Sequence, residues 1–272
     1  SSTSPRPLWL VDRVSVLRGE RSLVIGAGPA SRLEAYVDAA DRAVPRVSEV
    51  WGEAERRTGG DRAGGEWQEY VVLVVPRTQA QMERAIGAEP GSQDQVAAVT
   101  TSVGRGDPEH ASHIVVNPST FAELGALGRL VVLTHETTHV ATHATVSGMP
   151  MWLSEGFADY VGFRRAGLAA RSVAKHLLAQ VRETGPPESL PDAAAFDPRN
   201  EGLDHAYESA WTACRYIAER WGQRTLVRFY AAMNGISGSA QEAAVFEQVL
   251  GITKAQFLQD WRAYVADLAA TG

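Results

Sequence analysis

The sequence predicts an α+β fold, with a mixed α/β half over residues 8–150 followed by an all-helical half over 151–272. Three observations predict it. The short apolar runs that read as strands all precede Pro150. No run beyond Pro150 reads as a strand. There the apolar residues recur at steps of three and four, the period of helices packed on one face. A cleft between the two halves is expected.

Residues 8–17 and 22–26 are two apolar stretches around Arg18-Gly19-Glu20 and predict a hairpin. Ser31-x-x-Glu34 has the form of a capping box. Leu33, Val37, Ala40, Val44, Val47 and Trp51 then predict a long amphipathic helix, kinked at Pro45. The turn TGGDRAGGE (58–66) leads into a strand over 70–75 that Pro76 ends, and Thr78-x-x-Gln81 opens a short helix to Ile86. Strands over 95–101 and 113–117 flank the polar loop SVGRGDPEH, and a long helix covers 127–143. Helices are expected over 152–165, 167–183, 204–221, 223–234, 240–249 and 253–269, with one long Pro-rich loop at 182–202.

Composition narrows the function. The net charge of −6 favours neither nucleic acid nor an anionic membrane surface. Lys175 and Lys254 are the only lysines among the 26 basic residues, a skew that reflects composition bias rather than phosphate recognition. No apolar run approaches the ~20 residues of a membrane span, so the chain itself is not expected to insert. It opens on Ser1, and SSTSPRP carries neither an apolar core nor a cleavage signature, so a mature or trimmed product is expected. The single cysteine, Cys214, excludes an internal disulfide and reads as a buried, inert thiol beside Trp211 and Ile217.

The chemistry concentrates in V-V-L-T-H-E-T-T-H-V, Val131 to Val140. Residues i and i+4 share a helix face, so His135 and His139 can aim imidazole nitrogens at one ion about 2.0–2.1 Å away. Glu136 is turned ~100° from His135, beside the ion rather than on it, where it can take a proton from a water. A catalytic zinc wants a third protein ligand. His143 continues the series but lies about 12 Å along the axis from His135, too far for one straight helix. A third histidine of the metzincin kind would fall at Thr145, so that reading fails. Glu155, within M-W-L-S-E-G-F-A-D-Y, remains the best third ligand, brought back by a turn at Ser147-Gly148 and Pro150.

HETTH together with W-L-S-E-G-F-A-D-Y resembles the gluzincins, the thermolysin-like zinc metallopeptidases with a glutamate third ligand, and above all their peptidase MA-like branch. The stretches A-Y-E-S-A-W-T-A-C-R-Y-I-A-E-R-W-G and L-G-I-T-K-A-Q-F-L-Q-D-W fit the same pattern. The resemblance covers about residues 112–268 and is most specific over 131–162. The spacing to Glu155 is shorter than in the related aminopeptidases, so their elements for binding a peptide N-terminus are not carried over. The resemblance implies a zincin-like fold, a Zn2+ cofactor and hydrolysis of a peptide or protein substrate. It also implies an extracellular or membrane-tethered setting. Asp159, one turn after Glu155, matches the acidic residue that hydrogen-bonds a zinc histidine. The strand at 113–117 matches the sheet edge that pairs with extended substrate. A Tyr or His from the helical half completes such sites, and Tyr207 is preferred here over His205.

Bland readings and rivals stand beside this one. His110, His143, His176 and His205 read first as ordinary histidines, and Trp211, Trp221 and Trp261 as core. A zincin-fold binding module that has lost turnover is an alternative, which zinc content without hydrolysis would identify. L-V-I-G-A-G-P-A-S (23–31) resembles a dinucleotide-binding turn. Ser31 stands in place of its third glycine, however, and residues 44–52 read as helix where an acid-ended strand belongs.

Overall fold

The computed structural model describes residues 5–52, 67–102, 112–236 and 238–271, and the chain falls into two compact units, Ser1–Val146 and Ser147–Gly272. The predicted turn at 58–66, the loop at 103–110 and His110 lie outside the described residues.

The first unit is built on a five-stranded mixed sheet: β1 (Val14–Arg18), β2 (Ser22–Ala27), β3 (Val71–Val75), β4 (Ala98–Ser102) and β5 (Ser112–Val116), in the order β1-β2-β3-β5-β4. β1 and β2 form the predicted antiparallel hairpin, whereas β2, β3 and β5 run parallel. Interior parallel strands are covered on both faces and read as unbroken apolar runs, which is why β3 is VVLVV. Residues 8–13 are not strand: Leu8–Leu10 is a 3-10 turn that drops Leu8 into the core beside Ala27, Val74, Met82 and Val115.

Helix α1 (Glu34–Val47) makes the crossover from β2 to β3 and ends in a π-helical turn, Ser48–Gly52. The capping box does not form. Ser31 sits inside a 3-10 turn, Ala30–Arg32, and α1 starts at Glu34 with no side-chain cap. Arg32 donates instead to the carbonyls of Ala27 (2.8 Å) and Pro76 (3.3 Å), at the C-terminal ends of β2 and β3. Gly26 lets α1 settle on the sheet, since a Cβ there would lie 2.4 Å from Leu33 Cδ2. That packing need accounts for a glycine of the 23–31 motif without a nucleotide. Asp41 of α1 pins the hairpin turn by accepting from Glu20 N (2.8 Å), Arg21 N (2.9 Å) and Ser22 Oγ (2.7 Å).

Helix α2 (Gln79–Ile86) begins as predicted, with Thr78 accepting from Gln81 N, and ends at Gly87 in the left-handed conformation. A short helix, α3 (Pro118–Glu123), escapes the sequence reading; Asn117 caps it and Pro118 takes its first position. The long helix α4 spans Ala126–Ala141 and packs with α1 on one face of the sheet, while α2 lies against β5. β5 pairs with β3 on one side and with β4 on the other. The strand at 113–117 is therefore interior, and the expectation that it is the substrate-pairing edge is wrong; among the described residues that side of the sheet ends in β4.

The second unit is helical, with no strand among its described residues: α5 (Met151–Phe163), α6 (Ala170–Val173), α7 (Lys175–Thr184), α8 (Leu203–Trp221), α9 (Gln223–Met233), α10 (Ser239–Val245) and α11 (Lys254–Ala270). The predicted helix over 167–183 is two, broken at Ala174, and the Pro-rich loop contains a 3-10 turn, Ala193–Phe196. α5 and α8 form the central pair. Phe157 packs at a tilt against Tyr230 (4.4 Å between ring centres), and Trp152 lies 6.4 Å from both Phe229 and Phe257. Trp211 and Trp261 are buried as expected, and the Trp261 indole donates to Thr212 Oγ1 (3.2 Å); Trp221 is half-exposed under the Arg220 guanidinium. No helix among the described residues is long and apolar enough to cross a membrane.

Candidate metal centre

α4 carries six polar residues in succession, Thr134 to His139, through a largely buried stretch where hydroxyls need local partners, and the Thr137 hydroxyl is buried without one. Thr134, Thr138 and Thr142 donate to the carbonyls four residues back, Leu130 (2.6 Å), Thr134 (2.8 Å) and Thr138 (2.9 Å). These bonds run along one stripe of the helix. The neighbouring stripe, one residue on, is left to His135 and His139.

The two imidazoles meet edge to face, their centres 4.7 Å apart and their Nε2 atoms 3.0 Å apart. Two nitrogens held 2.0–2.1 Å from one tetrahedral ion would be separated by roughly 3.3 Å, so the pair is close to the spacing an ion imposes. Glu155, on α5 and 8% exposed, supplies a carboxylate oxygen to the same place. One ligand atom from each of His135, His139 and Glu155 lies within 4.8 Å of the others, close enough to hold a metal ion. Two imidazoles and one carboxylate, without sulfur, form a donor set that fits zinc and leaves one tetrahedral position open. His143 is not in this group: α4 ends at Ala141, and His143 lies beyond that end in the left-handed region at φ 53°.

Glu136 is 7% exposed, and its carboxylate has a partner the sequence did not suggest. Thr100 Oγ1, from the edge strand β4, lies 2.7 Å from Glu136 Oε2 and 3.0 Å from the Glu136 carbonyl. Thr100 and Glu136 are 36 residues apart, and no spacing rule links a strand threonine to a helix glutamate.

In the second unit, Asp159 sits half-buried one turn beyond Glu155. It lies near Cys214, whose thiol is pushed well up by complete burial and, secondarily, by the Asp159 charge. The thiol is thus inert, as expected. Tyr207 and His205 both lie at the start of α8. Two residues apart on a helix is a turn of ~200°, so they face nearly opposite ways. The Tyr207 ring meets Phe196 edge to face at 5.2 Å, and the His205 ring lies 6.3 Å from His176. Near His205, Glu208 is a second residue without a sequence signal. Its carboxylate accepts from Leu177 N (2.6 Å) and from His176 Nδ1 (2.9 Å), tying α8 to the first turn of α7. Burial pushes the Glu208 carboxyl above its ordinary value.

The chain matches no protein-family model, and no curated protein matches it.

Proposed function

We propose that the chain is a zinc-dependent metallopeptidase that hydrolyses a peptide bond. The observation that carries this reading is the convergence of His135, His139 and Glu155 with Glu136 next in sequence to one of the ligands. The likeness of HETTH and W-L-S-E-G-F-A-D-Y to the gluzincins supports it. Zinc, when bound, supplies Lewis acidity toward a water and toward the scissile carbonyl. Glu136 takes the proton from the attacking water and returns it to the leaving amine. The Thr100 hydroxyl steers the carboxylate for both transfers. Asp159 is assigned to orienting a ligand histidine, and Tyr207, ahead of His205, to donating a hydrogen bond to the developing oxyanion.

The first test is metal analysis. The purified chain is expected to bind about one zinc, and alanine at His135, His139 or Glu155 should abolish tight binding, since two protein ligands hold zinc poorly. Zinc binding that survives Glu155→Ala and is lost in His143→Ala would overturn the ligand set.

Thr100→Val keeps the shape of the side chain and removes the bond to Glu136. A hydrogen bond to a charged group is worth roughly 1.5–3 kcal/mol, so kcat should fall ~10–100-fold with zinc content unchanged, and Thr100→Ser should restore most of it. Equal activity in the valine variant would reduce Thr100 to a packing residue.

Tyr207→Phe leaves the contact with Phe196 and deletes the hydroxyl. A fall in kcat of ~100-fold with unchanged melting temperature is expected if Tyr207 serves the oxyanion. Unchanged kcat there, with a large loss in His205→Ala, transfers the role to His205.

A further inference from the structure

Seven large apolar side chains among the described residues stand exposed, and four of them, Trp9, Leu10, Val11 and Val16, fall between positions 9 and 16. Leu127, Met151 and Leu168 are scattered singly, as is normal, whereas a consecutive run marks a contact face. Leu10 is the most exposed, at 73%. Leu8 is anchored in the core with Val74, Met82 and Val115, so the 3-10 turn is fixed in place and presents Trp9, Leu10 and Val11 outward. Val14 of β1 packs on the same cluster, and Val16, two residues on along the same strand face, is exposed. Beside Trp9 a cavity of about 250 Å³ continues the apolar surface over Leu8, Val74, Ala85 and Val115. Thr101, Ser102 and His113 supply its polar lining, and no carboxylate lines it.

Charge and backbone decide what such a face can meet. The whole chain carries −6, but residues 5–18 and 77–86 hold five arginines (Arg6, Arg13, Arg18, Arg77 and Arg84) against two acids, a local balance of +3. Both acids are answered inside the protein. Asp12 accepts from Gln81 Nε2 (3.0 Å) and Arg77 Nε (3.3 Å), and the buried Glu83 accepts from Gln79 Nε2 (2.9 Å) and Gly91 N (2.9 Å). Arg6 N donates to the Arg84 carbonyl (3.0 Å), which brings the arginine of α2 to the same rim. Within the turn, the N–H groups of Leu10 (3.1 Å), Val11 (3.0 Å) and Asp12 (3.0 Å) donate to the carbonyls of Pro7 and Leu8, and Pro5 and Pro7 have no N–H to satisfy. Unbonded N–H groups are what an apolar phase penalises, so this turn enters one at reduced cost. A tryptophan with aliphatic neighbours, rimmed by long cationic side chains that reach headgroup phosphates, is the pattern of interfacial binding.

We infer that residues 5–16 form a peripheral membrane-docking turn, which seats Trp9, Leu10 and Val11 in the headgroup boundary of an anionic lipid surface with Arg6, Arg13 and Arg84 on its phosphates. The contact is shallow, and no residue of the metal cluster takes part. The test is co-sedimentation of the full chain with vesicles of phosphatidylcholine alone and of phosphatidylcholine mixed equally with phosphatidylglycerol. The chain should bind the mixed vesicles, less tightly as salt rises, and the neutral ones at least ~10-fold more weakly. Trp9→Ser with Leu10→Ser should lower the affinity for mixed vesicles ~10-fold or more, and Arg6→Ser with Arg13→Ser by a similar factor. All four side chains are exposed, so the melting temperature should stay at the wild-type value. Trp9→Phe should keep the binding and lose most of the blue shift in tryptophan emission that vesicles induce. No binding to mixed vesicles, binding that either double variant leaves intact, or a blue shift undiminished in Trp9→Phe overturns the docking turn. So does self-association, seen by sedimentation velocity, that Trp9→Ser with Leu10→Ser abolishes without touching vesicle binding; the face then belongs to a second copy of the chain.

Discussion

Glu136→Gln is expected to keep its zinc and to lose hydrolysis by about 10²–10⁴-fold, the usual contribution of a positioned general base. The substitution is close to isosteric. The amide oxygen can still accept from Thr100 Oγ1, which lies 2.7 Å from Oε2 in the native chain, so the side chain keeps its anchor. The helix backbone and the stripe of threonine bonds from Thr134 to Thr142 are untouched. His135, His139 and Glu155 keep their places, because none of them depends on a proton at Glu136. What disappears is the capacity to receive a proton from water. Zinc content by emission spectrometry and turnover of a peptide library, measured on the same preparation, separate the two effects. Wild-type turnover in the glutamine variant would remove Glu136 from the chemistry. Loss of zinc would instead make it a ligand.

The candidate cluster of His135, His139 and Glu155 was legible because one helix supplies two of its members at a fixed period and the third lies in the next helix along the chain. Strand β3 was legible for a similar reason, since VVLVV has no other economical use than an interior strand. The misreadings arose where a local pattern met a tertiary competitor. Residues 8–13 are apolar enough for a strand, but only Leu8 finds a core, and Trp9, Leu10 and Val11 stay exposed. Ser31 and Glu34 have the spacing of a capping box, but Arg32 draws the segment into a 3-10 turn by reaching the carbonyls of Ala27 and Pro76. Asn117-Pro118 carries the signal of a helix start, but Asn117 equally continues the apolar run of the strand before it. Beyond the β1–β2 hairpin, strand order left no trace. The pairing that puts β4 outside β5 joins residues close in sequence, yet the alternation of the two strands is the same for either placement. Thr100 became interpretable only through that placement, because it is β4 that brings its hydroxyl to Glu136.

Gly156→Ala should be the most damaging single-methyl change in the second unit. A Cβ at Gly156 would lie 2.3 Å from the Ala210 carbonyl oxygen, 2.6 Å from its carbon and 3.0 Å from Cys214 Sγ. The first two atoms are backbone of α8 and cannot rotate aside. α5 must therefore lift off α8, which unpacks Phe157 and Leu153, both fully buried, and carries Glu155 with it. Overpacking of this kind costs typically 1–3 kcal/mol, and the loss of neighbouring contacts should place this variant at or above the upper end. The urea midpoint should fall with little change in slope, as for a variant that unfolds to the same state. Zinc affinity should fall in parallel, because Glu155 is the residue next to the clash. Two companion variants locate the cause. Gly148→Ala has its nearest neighbour, Ile236 O, at 3.9 Å and should melt as wild type. Adding Cys214→Ala to Gly156→Ala relieves only the 3.0 Å contact and should recover little of the loss. A wild-type midpoint for Gly156→Ala would mean that α5 and α8 do not meet backbone to backbone at Ala210.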